Sequence, residues 1–449
     1  MVVRAPASPS GWAFRGSYEA AWRATTRAFE LAPESFAALP SDFLSRIAYV
    51  EDNSFRFGRA GSDQFGAMPG LKGDTSAYVP LPFAKFRAML SPGTSDAALR
   101  FNRDRMLTLL ELLTQRMPAN PDVFEAMTNL LEAREEIIGT PNGRYSALSA
   151  LERARALSTD PEQRLRLAAA DVRLHLKLGD FGRATATADS VLNAEHADTP
   201  QHPADLVGLA AFTGRTGRAS QYLGAIDFQF GGDVPTRVTQ PLAALTIRAA
   251  LGVCDDSTRT LPQAVVRALA SYVGPEDRQA VTDRLLGRPL SLAVPCLGPE
   301  ATLIVHEPAG VLRLQQVAAR GDRAGVRRML DSLDALRRGM RPGAISLDAI
   351  LEEALLADSA GDPQRAAARL DMSLTALPAL STFIVSEPGM AASVGRAMAY
   401  RAELASRLGD PSAAALWASR VLTVWGHADA NLAPTLSRMR RLAARQPLS

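Results

Sequence analysis

Few side chains suited to catalysis or metal binding occur in this sequence, and they are widely spaced. The chain has five histidines, of which only His196 and His202 are close together, six positions apart. That spacing does not align two side chains on one face of a helix. Cys254 precedes Asp255 and Asp256, whose carboxylates disfavour a reactive thiolate. The two cysteines cannot form a disulfide framework or a zinc cage alone, and we expect them in a reducing compartment.

Two triplets match motifs of phosphoryl-transfer enzymes, but their order and surroundings do not. Asp180-Phe181-Gly182 has the letters of a magnesium-binding motif, and Ala32-Pro33-Glu34 those of a motif that should follow it. In this sequence the Ala-Pro-Glu triplet precedes the Asp-Phe-Gly triplet. No glycine-rich phosphate loop, paired lysine, catalytic HRD loop, GxSxG elbow or HExxH zinc motif occurs. We therefore expect a protein that is not an enzyme and holds neither a cofactor nor a metal.

An arginine run provides the best charged candidates for partner binding, because a guanidinium makes paired contacts to a carboxylate or a phosphate. Interleaved aspartates leave open a second interpretation, a solvated face that pairs with itself. A turn at Gly321 would also separate the first arginine from the others. The candidates are Arg320, Arg323, Arg327 and Arg328.

The elements that must position these residues follow the helical period, and alternating strand patterns are nearly absent. Glycine-containing breaks, each followed by an alanine-rich stretch, form two series, with spacings of 36 and 38 residues in the first and of 40 and 48 in the second. We expect the glycine to end one helix in the left-handed conformation and an aspartate to cap the next. A period of this length is typical of an α-solenoid. The breaks are Gly143-Arg144-Tyr145, Leu178-Gly179-Asp180, Thr216-Gly217-Arg218, Arg320-Gly321-Asp322, Ala360-Gly361-Asp362 and Leu408-Gly409-Asp410.

Several of these segments resemble the second helix of a tetratricopeptide (TPR) repeat. The stretch beginning Gly16-Ser17-Tyr18-Glu19-Ala20-Ala21 has an aromatic after the glycine, small alanines and a closing proline at Pro33. Similar patterns follow Gly179 and Gly409. The resemblance implies an all-α fold, a TPR-like right-handed α-solenoid of antiparallel helix pairs with two irregular insertions. It also implies a groove that binds a protein or a peptide.

The last third of the chain resembles the C-terminal TPR region of bacterial serine/threonine protein kinases. The resemblance lies in Arg288-Pro289-Leu290-Ser291-Leu292, Gly339-Met340-Arg341-Pro342-Gly343 and the stretch 417–432. In that family a kinase domain and often a membrane span precede the repeats. The first helix before Gly16 is missing or badly formed, so either a short plug at Trp12–Phe14 caps the array or, as we expect, the chain is the tail of a longer polypeptide. As written, the sequence has no signal peptide or membrane span and is expected in the cytoplasm. An extracytoplasmic location would apply to the tail of a membrane-spanning kinase-like protein.

Two segments interrupt the helical pattern. Residues 51–100 are rich in glycine, proline, serine and aromatics, including Phe83 and Phe86, and are expected to form a folded insertion or a binding loop. Residues 287–310 contain four prolines and are expected to form a crossing between two helical stacks. The predicted divisions are a helical repeat over 1–50, the aromatic insertion over 51–100, a TPR-like array over 101–286, the crossing over 287–310 and a second array over 311–449.

The charge balance narrows the class of partner. Fifty basic residues against 47 acidic ones give a net charge of +3, too balanced for a dedicated nucleic-acid binder. We expect Trp417 and Trp425 in the core, and Arg438, Arg440, Arg441 and Arg445 on the outside of a capping helix. The favoured function is a non-enzymatic scaffold that binds a protein or peptide or senses a signal. The alternative is an effector-sensing helical module of a transcriptional or signalling regulator.

Overall fold

The described part of the chain is helical. A computed structural model describes residues 117–139, 144–194, 203–225, 236–306, 310–336, 345–382 and 384–444, with the positions 107, 110, 111, 113–115 and 338. These residues contain no β-strand, which confirms the all-α class for this part of the chain. The predicted repeat over 1–50 and the predicted insertion over 51–100, with Phe83 and Phe86, lie outside the described residues.

The chain divides into two compact units, Met1–Leu167 and Ala168–Ser449, and the division falls inside a helix. The first unit contains α1 (Pro121–Ala133), α2 (Ala147–Leu157) and the beginning of α3 (Pro161–Lys177). The second unit contains the rest of α3 and α4 (Phe181–Ala194), α5 (Pro203–Phe212), α6 (Thr216–Ala225), α7 (Thr236–Leu251), α8 (Asp256–Ala270), α9 (Pro275–Leu297), α10 (Gly310–Ala319), α11 (Arg323–Leu336), α12 (Leu347–Ser359), α13 (Pro363–Thr375), α14 (Pro388–Arg407), α15 (Pro411–Val424) and α16 (Ala433–Ala443). Short 3-10 helices cover Pro299–Ile304, Leu377–Ala379 and Ala430–Leu432.

Four of the predicted glycine breaks have the expected conformation. Gly179, Gly321, Gly361 and Gly409 have φ angles of 75°, 78°, 81° and 80°, a region that costs glycine little and other residues more. The aspartate after each glycine accepts a hydrogen bond from the backbone N–H three residues later, at 2.7 to 3.0 Å. Each turn therefore ends one helix and caps the next, as predicted.

The break predicted at Gly217 is displaced by three residues. Gly214 has the left-handed φ angle, 74°, while Gly217 lies inside α6. The cap of α6 comes from a distant residue, Asp429. Its carboxylate accepts hydrogen bonds from the Thr216 hydroxyl at 2.8 Å and the Gly217 N–H at 2.7 Å. The break at Gly143 lies outside the described residues.

The predicted proline-rich crossing over 287–310 is wrong for its first half. Helix α9 continues through Pro289 and Pro295 to Leu297, and a 3-10 helix follows. A proline inside a helix costs about 3 kcal/mol, because it removes a hydrogen bond and crowds the preceding turn. Burial of Leu290 and Leu292 offsets this, at about 1.5–3 kcal/mol per side chain. The boundary near 287 thus falls inside α9, and the other predicted divisions stay predictions.

The core of the second unit is built around α14. This helix packs against α5, α7, α12, α13, α15 and α16. In an open solenoid each repeat contacts only its neighbours in sequence, whereas α5 and α7 lie far from α14 along the chain. The solenoid arrangement is therefore not confirmed. Trp417 and Trp425 are buried and Arg438, Arg440 and Arg441 are exposed on α16, which confirms these five placements, while Arg445 lies outside the described residues.

The two cysteines, which we expected in a reducing compartment, are paired. Cys254 and Cys296 form a disulfide, with their Cα atoms 4.9 Å apart and a separation of 42 positions in sequence. Cys254 lies in the turn between α7 and α8, Cys296 lies in the last turn of α9, and both α7 and α8 pack against α9. Helix packing thus brings together two residues whose pairing their spacing alone could not show. Of the helices described, none is both long enough and apolar enough to cross a membrane.

Candidate ligand-binding pocket at helices α1 and α2

The predicted arginine run does not form one face. Arg320 follows α10 and Arg323 begins α11, with the turn at Gly321 between them. All four arginines are exposed. Arg327 donates a hydrogen bond of 2.6 Å to the Ala360 carbonyl at the end of α12, and Arg328 lies 3.9 Å from Asp322. These contacts agree with the self-paired interpretation better than with a joint binding site.

Two histidines in the described part of the chain lie close to carboxylates, and a third, His306, donates its backbone N–H to Asp283 at 3.0 Å. His175 lies between Asp171 and Asp180, at 3.4 and 3.7 Å, and His427 contacts Asp189 at 2.6 Å. His196 and His202 fall in a segment that the structure does not describe. Where side chains are described, no group of three or more His, Cys, Asp or Glu is arranged to hold a metal ion.

Buried charges in the second unit pair with one another across helices. Arg369 in α13 contacts Glu353 in α12 at 2.6 Å, and Arg401 in α14 contacts Asp371 at 2.6 and 2.8 Å. Arg396 donates hydrogen bonds to the carbonyls of Ala249 and Leu292, and its burial lowers the pKa of Arg396 to about 10. These charged side chains therefore link helices of the second unit to one another.

A pocket of about 450 Å³ opens in the first unit. Its lining combines two cations, two aromatic rings and a few neutral polar or small groups. None of the lining residues that the structure describes is acidic. They are Thr114, Gln115, Pro118, Phe124, Arg144, Tyr145 and Arg153.

Helices α1 and α2 position these side chains. Phe124 is buried in the first turns of α1, and Asn120 caps that helix by accepting from the Asp122 N–H at 2.9 Å. Tyr145 immediately precedes the cap of α2. Its ring meets the Phe124 ring edge-on, with the centroids 5.7 Å apart and the planes at 75°. The two rings thus form a fixed wall, because each is held by its own helix start.

The start of α2 is itself locked. The Ser146 hydroxyl accepts from the Ser149 N–H at 3.2 Å, and the Ser149 hydroxyl accepts from the Ser146 N–H at 2.8 Å. This reciprocal capping satisfies two backbone donors at once and fixes the direction in which the chain enters α2. Arg144 and Tyr145 lie directly before it, so their backbone positions are set by the cap.

Helix α3 holds the other side of α1. Gln163 donates to Asp122 at 2.7 Å and to Glu125 at 3.0 Å, and Arg166 contacts Glu125 at 3.0 Å. Burial, followed by the neighbouring Glu125 carboxylate, raises the pKa of Asp122. Asp122 and Glu125 therefore pair with side chains of α3 and not with the arginines of the pocket.

Each arginine of the pocket lies over a ring. The guanidinium carbon of Arg144 is 5.7 Å from the Tyr145 centroid, and that of Arg153 is 5.8 Å from the Phe124 centroid. Arg153 also donates to the Pro118 carbonyl at 3.1 Å. Within the described residues Arg144 has no ion pair. Stacking restrains a guanidinium while leaving N–H groups at its edge, so this arrangement can bind an anion.

Sequence reasoning did not identify this site. Arg144 and Tyr145 were part of a triplet interpreted as a turn, and Phe124 and Arg153 belong to ordinary helical patterns. Only the packing of α1 on α2 brings residues 20 to 30 positions apart to one cavity. No family model matches the sequence, and no curated protein and no solved structure matches it significantly.

Proposed function

We propose that this chain is a non-enzymatic TPR-type scaffold for protein or peptide interaction or for sensing, and that the pocket at α1 and α2 binds an anionic group of its partner. The observation that carries the proposal is the pair of guanidiniums over aromatic rings in a pocket whose described lining residues include no acid. The four Gly-Asp helix turns support the repeat-like character. We also propose that the chain is the C-terminal region of a bacterial serine/threonine kinase-like protein.

A carboxylate is a suitable ligand group for this pocket. Two oxygens of a carboxylate match two N–H groups of one guanidinium, and such charge-assisted bonds contribute about 1.5–3 kcal/mol. The aromatic wall restrains the arginines before the ligand arrives, so less side-chain freedom is lost on binding. Solvent reaches the open pocket, so binding should weaken as salt screens the charges.

The test is fluorescence anisotropy with the full chain and a labelled peptide of five glutamates. Arg144→Gln and Arg153→Gln should each weaken binding roughly 10- to 100-fold, the equivalent of one lost charge-assisted contact. Arg440→Gln is the matched control, because it removes an exposed arginine on α16. Equal affinities of the two pocket variants and the unchanged chain refute the proposal.

One observation favours the alternative of an effector-sensing helical module. A volume of about 450 Å³ lies within the range of small-molecule sites. Thermal unfolding with glutarate, a small dicarboxylate, distinguishes the two functions. An increase in Tm that Arg144→Gln abolishes, without measurable peptide binding, would support effector sensing; peptide binding without that increase supports the scaffold.

A further inference from the structure

In the other unit, a third arginine of the described residues lies over aromatic rings. The guanidinium carbon of Arg420 in α15 is 4.4 Å from the Trp417 ring centroid and 5.4 Å from the Phe181 ring centroid. Trp417 lies one turn earlier on α15, and Phe181 is the first residue of α4. Since α4 packs against α15, the two rings enclose the cation from both helices.

Arg420 differs from the neighbouring half-buried and buried arginines. Arg369 is paired with Glu353, and Arg401 is paired with Asp371. Arg420 has no ion pair and no hydrogen bond to any residue that the structure describes. Burial lowers the pKa of Arg420, as expected for a cation that has lost water without gaining a carboxylate.

The surface next to Arg420 is apolar. Leu416 lies one turn earlier on the same helix and keeps 48% of its surface exposed. An exposed leucine four positions before an arginine places both side chains on one face of α15. Arginine is among the residue types that contribute most of the binding energy at protein interfaces, and the buried Trp417 holds its side chain in place.

We propose that Arg420, Trp417, Phe181 and Leu416 form a docking site for a partner polypeptide, in which a Glu or Asp side chain binds the Arg420 guanidinium and an adjacent apolar side chain packs on Leu416. Charge complementarity selects the occupant: the guanidinium has unused N–H groups at its edge, and a carboxylate matches their spacing. The partner is a polypeptide because one ligand must satisfy the cation and the leucine together. This inference rests on the proposed scaffold function, although it uses a different site.

The probe is a fluorescein-labelled peptide of twelve residues with alternating pairs of leucine and glutamate, and its matched form has glutamine for every glutamate. Anisotropy is measured with the full chain carrying Arg144→Gln, so that the pocket of the first unit contributes little. Arg420→Gln in this background should weaken binding of the glutamate peptide at least tenfold. Binding of the glutamine peptide should be weak and unaffected. The affinity of Arg420→Lys for the glutamate peptide should lie between those of the parent and Arg420→Gln, because lysine keeps the charge but loses the planar arrangement of N–H groups.

Two further variants distinguish the loss of a binding contact from a folding defect. Arg183→Gln removes an exposed arginine of α4 and should leave peptide binding unchanged. Leu416→Asp alters an exposed side chain, so it should preserve Tm while repelling the glutamate peptide. Equal binding by the parent and Arg420→Gln, no binding by the parent, or equal losses for both peptides overturns the proposal. Failure of this site alone leaves the Arg144 result unaffected, so the two proposals are separable.

Discussion

Replacing Cys254 and Cys296 together by serine opens a closed loop that spans 42 residues of sequence. In the chain-entropy description, a cross-link of this length removes about 13 cal/mol/K from the unfolded ensemble, or about 4 kcal/mol at 25 °C. The second unit has roughly 280 residues, and each contributes about 2.1 cal/mol/K to the unfolding entropy. Dividing the free energy by the total entropy gives a decrease in Tm of about 7 °C.

The assay is thermal unfolding by far-UV circular dichroism. Three samples are compared: the oxidised chain, the same chain with an excess of a dithiol reductant, and the Cys254→Ser/Cys296→Ser variant. Cys254 is exposed, so the reductant has access to the bond. The reduced chain and the variant should unfold at the same temperature, about 7 °C below the oxidised chain, and the reductant should not affect the variant.

Thiol counting by mass spectrometry makes the test decisive. The oxidised chain should contain no free thiol, and the reduced chain should contain two. Two free thiols in protein purified without reductant would contradict the pairing. A bond that is reduced completely while Tm stays constant would contradict the loop-entropy argument, and would place the constraint in the packing of α9 instead.

Gly395→Ala should destabilise the chain by about 1–3 kcal/mol in urea unfolding, because its Cβ would overlap the Trp425 ring. Gly287→Ala, in α9 where a Cβ meets nothing within 4 Å, should instead stabilise it slightly, and a similar loss at both sites would exclude steric overlap as the cause. Asp429→Ala should cost about 0.5–2 kcal/mol, because α6 loses its cap, and an unchanged urea midpoint would show that the Thr216 and Gly217 contacts contribute nothing.

The local features of the fold were predictable because they depend on a few adjacent residues. A glycine followed by an aspartate encodes both the left-handed turn and the next cap, and four of these turns have that geometry. The burial of Trp417 and Trp425 followed in the same way from helical spacing. Such signals need no knowledge of the tertiary structure.

The features that were missed depend on packing between distant segments. Asp429 caps a helix more than 200 residues earlier, and no local pattern announces it. Pro289 suggests a break, yet burial of the surrounding leucines keeps α9 continuous. The pocket at α1 and α2 likewise exists only once those helices meet, so Phe124 and Arg153 carried no separate signal.

The central position of α14 has a consequence for synthesis on the ribosome. Helices α5 and α7 are complete by residue 251, but α14, against which both pack, begins only at Pro388. A ribosome that adds about 5–20 residues per second needs roughly 7–30 s to cover this interval. During that time the apolar faces of α5 and α7 lack their final cover. The nascent chain is therefore expected to be a client of ribosome-associated chaperones, and a chain released before residue 388 should aggregate.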